Sequence, residues 1–535
     1  MSETSTLLPN SAPASALREP TRSAWYLALL ALPIGGLQVA WSVEISAGSS
    51  YLLSLGISKQ LLALVWLAGP LMGILVQPYV GALSDNCRIS WGRRRPYLLG
   101  GTVVTILSMT GLAWVRELTG AAGGPVKAAA VVGVYALNFG LNVVEAASHA
   151  FITDCAPRHQ QEAANGMASR GIAVGGLVGF LAGSLDLAAY LPFLGDSHFK
   201  VLCVIASSIL CFTVLVGAGL VVEENPNERY NDSAAEKSIG GRLWGTLWGL
   251  SPQIKTLFAV QLFACFAFFP ILFYASVYVA EIYAAPYLRE NPHMTPAELD
   301  VLYDEGTRKG ATALAWNGVV MLVTTIIAPA LVTPTYDRAR SRSSSVSSSR
   351  SSASSETLNN ESSIPSLQMP RFTLKRAWIA SLVLQAVALL GAPMIHSVDD
   401  AVVLIAALGY TWALSAWAPF AIIGAETHAG PDTRTSNSAG ADADGTDLSE
   451  AGSGDGVESS SMRNQVGVVL GIHNVIVCTA QVMSTVVSLG VFGVFQKPRG
   501  QPGDVSLAVL LGVSGLAGVL AVCFATRIRE PGRRR

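Results

Sequence analysis

Charge is what this chain has least of. Of its 535 residues 13% are charged and 51% hydrophobic, whereas a soluble chain carries about 25% charged residues. The three or four soluble domains that such a length would form could not be covered by so little polar surface. A formal net charge of −1 offers no basic field for nucleic acid. Cysteine is scarce too, and scattered: Cys87, Cys155, Cys203, Cys211, Cys265, Cys478 and Cys523 include no CxxC pair and no metal-ligand spacing. They read as buried free thiols, and neither a metal nor a cofactor is expected. The first 23 residues lack the apolar stretch of a cleaved signal peptide, which leaves the first spanning helix to act as insertion signal. A phosphate-cradling GxxxxGK[ST] loop is missing, and the apolar runs contain no nucleophile–base pairing. The expectation is therefore neither a pump driven by ATP nor an enzyme.

What is present is apolar length. Mean hydropathy is +0.45, and 51 glycines and 11 tryptophans suit helices packed closely in lipid with aromatic side chains at the interfaces. About twenty apolar residues cross a bilayer as a helix. Runs of that length begin near Trp25, Leu61, Tyr97, Ala128, Gly166, Val201, Thr256, Ala311, Ala377, Ala401, Gly467 and Val505. None alternates as a strand would, so the expected fold is an all-α membrane protein with twelve transmembrane helices and no barrel. Pro270 lies inside the seventh run, where a kink is expected. Most of the 35 basic residues fall in segments on the side of the two termini, which orients both termini to the cytoplasm.

The organisation then reads as a disordered cytoplasmic tail (1–23), an N-terminal six-helix bundle (24–222), a central cytoplasmic loop (223–252), a C-terminal six-helix bundle (253–526) and a basic tail (527–535). Within the second bundle, loops 334–372 and 426–463 read as disordered. Ser341 to Ser355 has eleven serines in fifteen residues beside Arg338, Arg340, Arg342 and Arg350, too polar to bury a core. An RNA-binding arginine–serine tract and a solvated loop with phosphorylation sites both fit that composition; a membrane protein favours the second.

Between the second and third runs stand Gly81-Ala-Leu-Ser-Asp85 and Gly92-Arg93-Arg94-Arg95-Pro96. An acid ending one helix and arginines opening the next suit a charge-pair latch that gates one face; a plain positive anchor is the alternative. This loop resembles the signature of the major facilitator superfamily, with a weak echo at Pro334-Thr-Tyr-Asp337-Arg338. Gly69-Pro70, Gln77-Pro78, Ala164-Asn165, Ala173-Val174-Gly175, Gly179 and Gly183 resemble the sucrose–proton symporter branch. Phe269-Pro270, Phe273, Glu281-Ile282-Tyr283, Arg308, Gly310, Leu314, Asn317, Gly467, Leu470-Gly471, Asn474 and Gln481 continue the likeness. The serine-rich loops point toward its fungal α-glucoside carriers. The resemblance implies two six-helix halves in the major facilitator fold and proton-coupled sugar transport. Positions that carry charges in plant members match Asn138, His149, Ser276 and Ala280 here, so plant-type charge pairs do not carry over. Glu44 and Glu145 resemble acids of the animal branch, and Asp154 an acid shared more widely.

An ionisable side chain at membrane depth costs at least ~2.5–3.5 kcal/mol, which asks for a reason. Asn138, Asn142, Glu145 and His149 fall on one helix face, a strip able to bond sugar hydroxyls and hold a proton. Gln38, Trp41 and Glu44 share the first run, where an indole face suits a pyranose ring. Glu145 or Glu44 is the expected proton acceptor, with Arg170 as counter-charge and Asp154 nearer the gate formed by Asp85, Arg93, Arg94 and Arg95. A permanent Glu–Arg bridge is the competing reading, and His149 is equally consistent with a core residue. Asn317, Asn474 and Gln481, with Trp316 and Trp412, supply sugar contacts in the second half or, equally, helix–helix contacts. The expected function is a monomeric, proton-coupled symporter of sucrose- or maltose-type α-glucosides, with a non-transporting sugar sensor of the same fold as alternative. The plasma membrane is the first expectation for its location. Glu3 and Leu7-Leu8, an acidic dileucine pattern, keep a vacuolar membrane open.

Overall fold

The computed structural model describes residues 21–85, 87–120, 123–157, 160–223, 250–332, 373–428 and 455–529. The dileucine pattern, the arginine–serine tract and the Pro334–Arg338 echo lie outside these residues. Twelve helices are long and apolar enough to cross a membrane: α1 Ala24–Ser54, α2 Lys59–Gly81, α3 Arg95–Ala113, α4 Gly124–Cys155, α5 Ala163–Ser184, α6 His198–Leu220, α7 Pro252–Glu290, α8 Pro296–Ala328, α9 Leu374–Met394, α10 Val398–Ile423, α11 Ile472–Phe495 and α12 Ser506–Thr526. Among the described residues there is no sheet. Each helix begins where local chemistry lets it. Ser23, Ser58, Ser197, Ser251 and Thr373 accept a hydrogen bond from a backbone N–H of the first turn, and Thr295 forms a reciprocal capping box with Glu298, which satisfies donors that helix geometry leaves unpaired.

The packing repeats with a shift of six helices. α1 packs on α4, α5 and α6, as α7 packs on α10, α11 and α12; the α2–α4, α3–α4 and α3–α6 pairs match α8–α10, α9–α10 and α9–α12. The two halves meet along α2–α11, α5–α8 and the last part of α1 against α7. We call the end where α1 starts and α12 finishes the base, and the opposite end the crown.

Small residues allow the closest of these approaches. The α5 glycines that resemble a family motif face α1: a Cβ on Gly175 would stand 2.1 Å from the Gly35 carbonyl oxygen, and one on Gly179 2.5 Å from Ser42 Cβ. With little hydrophobic drive between helices in lipid, backbone-to-backbone packing of this kind carries association.

Three boundaries differ from the sequence reading. The eighth helix starts at Pro296, not near Ala311. The helical backbone that contains α10 continues to His428, and that of α11 begins at Asp455, so structure intrudes at both ends of the expected loop 426–463. Glycine- and serine-rich composition hid these polar extensions, which lie beyond the apolar core of each run.

Candidate functional site

Two acids at membrane depth lie in the N-terminal half, and one chain of amides joins them. α1 widens at Glu44–Gly48 into a π-turn, a feature often found at functional positions. Glu44 opens this turn and is 5% exposed. Its Oε1 accepts a hydrogen bond from Asn138 Nδ2 at 2.7 Å, while its Oε2 has no partner; the residue lines a small apolar pocket with Trp66, Met109 and Cys203. One turn along α4, Asn142 Nδ2 donates to the Asn138 carbonyl at 2.9 Å. Gln77 of α2 completes the connection: its Nε2 donates to Asn142 Oδ1 at 2.9 Å and to Glu145 Oε2 at 3.0 Å.

Exposure rises along the same α4 face toward the base. Asn138 and Asn142 are 1% and 3% exposed, Glu145 is half-buried and His149 exposed. The strip expected from the sequence therefore exists, graded from a sealed interior to an open end. Gln77 was quoted only within its Gln77-Pro78 motif. Its role could not be read from spacing because its partners lie on another helix.

At the base, the arginine loop closes on α4. Arg93 Nη2 meets Asp154 Oδ1 at 2.7 Å, and Arg94 Nε meets Asp154 Oδ2 at 2.7 Å. Arg94 also bonds Ser84, and Glu223 accepts from the Arg94 backbone N–H at 2.9 Å. Arg95 donates to the carbonyls of Trp91 and Val221. Gly92, at φ +135°, turns the loop with a backbone that side-chain-bearing residues disfavour. Asp154 is thus engaged by two guanidiniums and is not part of the Glu44–Glu145 chain. Glu223 was read as loop; no sequence signal marked it. Asp85 ends its helix here, with its side chain outside the described residues.

The crown holds a cluster that sequence reading missed. Lys59, at the start of α2, forms ion pairs with Glu281 of α7 and with Asp504 at 2.9 Å, and donates to Ser506 at 3.2 Å. The three charged side chains are 6%, 18% and 12% exposed. Burial alone would raise the Asp504 carboxyl; the Lys59 ammonium and the Ser506 bonds outweigh it and hold that group below its ordinary range. Nearby, Thr307 donates to Ser50 at 2.8 Å, Ser49 to the Phe273 carbonyl at 2.9 Å, the Gln60 backbone N–H to Gln496 at 3.2 Å, and Arg308 pairs with Asp186 at 2.9 Å. Among the described residues, every side-chain bond joining the two halves lies at the crown. Lys59 and Asp504 are 445 positions apart, beyond the reach of any spacing argument.

The remaining expected residues lie apart from this chain. Arg170 does not pair with Glu44 or Glu145 among the described residues; it is exposed. Gly171, Gly175 and Gly179 form the α5 face against α1, and Arg170 is rotated about 100° from that face. Asn317 donates to the Ile405 carbonyl at 2.7 Å, a bond between α8 and α10. Trp412 stacks on Phe268 with centroids 4.6 Å apart, and Trp316 is exposed. Asn474 is exposed, Gln481 and Trp41 half-buried, and Gln38 lies against the α5 glycines. The structure does not gather these second-half amides with the Glu44–Glu145 chain.

Comparisons with known proteins agree with this architecture. The family model described as MFS/sugar transport protein matches residues 29–295. The general alpha-glucoside permease of Schizosaccharomyces pombe is 28% identical over 555 residues, covering 94% of this chain and 93% of that protein. Sucrose transport protein SUT3 of Oryza sativa subsp. indica is 28% identical over 325 residues, 56% of this chain and 63% of its own. Among solved structures, nucleoside transporter NupG superposes with a TM-score of 0.57 at 10% identity, covering 93% of this chain and 98% of its own. The Escherichia coli xylose transporter XylE, in a partially occluded inward open conformation, gives 0.55 at 14%, covering 96% and 99%. At such identities these two show the fold alone.

Proposed function

Because the chain belongs to the sugar transporters of the major facilitator superfamily, we propose that it carries α-glucosides of the sucrose and maltose type together with protons, by alternating access. The observation that carries this reading is the amide-linked chain from Glu44 to Glu145. Two carboxylates at membrane depth have amides as neighbours and no ion pair among the described residues. Buried carboxylates of this kind are the groups whose charge a proton can switch as access alternates. Glu145, half-buried toward the base, is the acid that takes and releases the proton. Glu44 holds Asn138 in place and keeps the inner end of the chain fixed.

The sugar side follows from the same strip. Asn142, His149 and Gln77 offer donors and acceptors suited to hydroxyl groups, and Trp41 and Gln38 lie on the neighbouring α1. In this reading the base faces the cytoplasm, and the crown bonds between the halves close the outer side in the conformation described. The relatives named for alpha-glucosides and sucrose support the substrate class. The protein works as a monomer in the plasma membrane.

Uptake of labelled sucrose and maltose into proteoliposomes, with and without an imposed pH gradient, tests the proposal. A gradient should raise accumulation, and Glu145→Gln should abolish that gain while still permitting exchange down a sugar gradient. Glu44→Gln should weaken transport without making it indifferent to the gradient. Binding of sugar without uptake would leave a sensor in place of a carrier, and uptake blind to the gradient would remove the proton.

A further inference from the structure

The crown cluster is a second ionisable centre, separate from the Glu44–Glu145 chain. Lys59 belongs to the N-terminal half, Glu281 and Asp504 to the C-terminal half, and one ammonium serves both carboxylates. Among the described residues, Tyr303 of α8 lies in the field of both Glu281 and Asp504, its ring covered by the Arg499 guanidinium at 4.7 Å, and Lys497 donates its backbone N–H to Asp504 at 3.2 Å while its ammonium bonds the Pro502 carbonyl. Ser506 and the Gln60–Gln496 pair contribute neutral bonds. A cavity of about 890 Å³ opens over the cluster, walled by Tyr278, Tyr283, Tyr287 and Gln496, with room for crown-side water beside it.

A carrier with alternating access must part at the crown, and α2 then withdraws from α7. Lys59 leaves with its own half. Glu281 and Asp504 stay behind together, two negative charges in a largely buried place. Carboxylates that share a site resist double ionisation. We propose that a proton from the crown-side water then takes the place of the ammonium, so that Glu281 and Asp504 form a proton-binding site filled only while the crown is open.

The charges balance. On opening, Lys59 keeps its proton and becomes hydrated, and a hydronium ion gives one proton to the carboxylate pair, forming one O–H bond and leaving water. On closure Lys59 returns and that proton passes back to water on the same side. One proton bound by the open state alone makes the ratio of open to closed crown rise up to tenfold for each unit of falling pH. The inference rests on the carrier reading for its two states, yet it does not depend on which acid drives transport. A rival lies close by: Arg308 and Asp186 also join the halves, and His198 stands in the field of both.

The test uses the full chain in lipid nanodiscs without sugar. Dyes on non-natural amino acids at Tyr190 and Met394, exposed at the crown end of the two halves, report crown opening by single-molecule energy transfer between pH 5 and 8. The wild type should open increasingly as pH falls, and the Glu281→Gln, Asp504→Asn double variant should give one ratio at every pH. If the double variant folds poorly, Glu281→Gln alone should flatten most of the response, while His198→Gln should leave it intact. A flat wild-type profile, a slope that survives both carboxyl substitutions, or one that vanishes with His198→Gln would overturn the inference. Sugar uptake by the same variants in proteoliposomes separates the two claims. Uptake with a pH-blind crown removes only this site, and failure to move any sugar removes the carrier itself.

Discussion

Loss of the Gln77 side chain would detach Glu145 from the rest of the chain, since its single amide nitrogen serves both Asn142 and Glu145. Gln77→Leu leaves a buried carbonyl and a carboxylate without a donor. An unsatisfied buried group costs about 1–3 kcal/mol, or roughly 5- to 150-fold. On the proposed coupling, the initial rate of uptake driven by an imposed pH gradient should fall within that range with the pH optimum displaced, and Gln77→Asn should recover part of it. At this scale the sequence was informative where partners share a helix. Glu145, Asn142 and Asn138 were legible as one face because helical spacing is fixed. The direction of Arg170 was not legible, because a charge at membrane depth does not say which way its helix turns, and the glycines beside it decide that. Lys59, Glu281 and Asp504 drew no attention as a group, because only tertiary packing brings them together.

Among the elements, α1 and α5 meet most intimately, and the glycines between them set the distance. Gly175→Ala puts a methyl 2.1 Å from a carbonyl oxygen of the opposite backbone, which no rotamer change relieves. Overpacking of this kind costs about 1–3 kcal/mol. The unfolding temperature in detergent should drop for Gly175→Ala and hold or rise for Gly111→Ala, whose added methyl meets nothing within 4 Å. The twelve spans were legible because a bilayer demands apolar length and little else supplies it. The ends of α8 and α11 were not, since their polar turns have left the apolar core and look like loop. The π-turn at Glu44 had no sequence signature either: nothing in Glu-Ile-Ser-Ala-Gly distinguishes it from an ordinary helical stretch.

For the molecule as a whole, the halves are tied at one end. A pair of cysteines replacing Ser50 and Thr307, whose hydroxyls lie 2.8 Å apart across the crown, should form a disulfide that holds the crown shut. Sugar uptake should then fall to background under oxidation and return with a reducing agent, while either single cysteine leaves it responsive to neither. The two-half organisation was foreshadowed by the motif likeness between the halves. The conformation was not, since one sequence must serve every state of the cycle.

The crown bonds also decide from which side the molecule can be addressed. Breaking the closed state means hydrating Lys59, Arg308 and a handful of hydroxyls, all within reach of one aqueous compartment and none within reach of the other. Salt, acidity or a polyhydroxylated solute on that side can therefore alter how often the protein reorients, while the same change across the membrane leaves those bonds untouched. The asymmetry makes the closed state a listener with a single ear, and it places sensitivity to the surroundings on the face opposite the arginine loop.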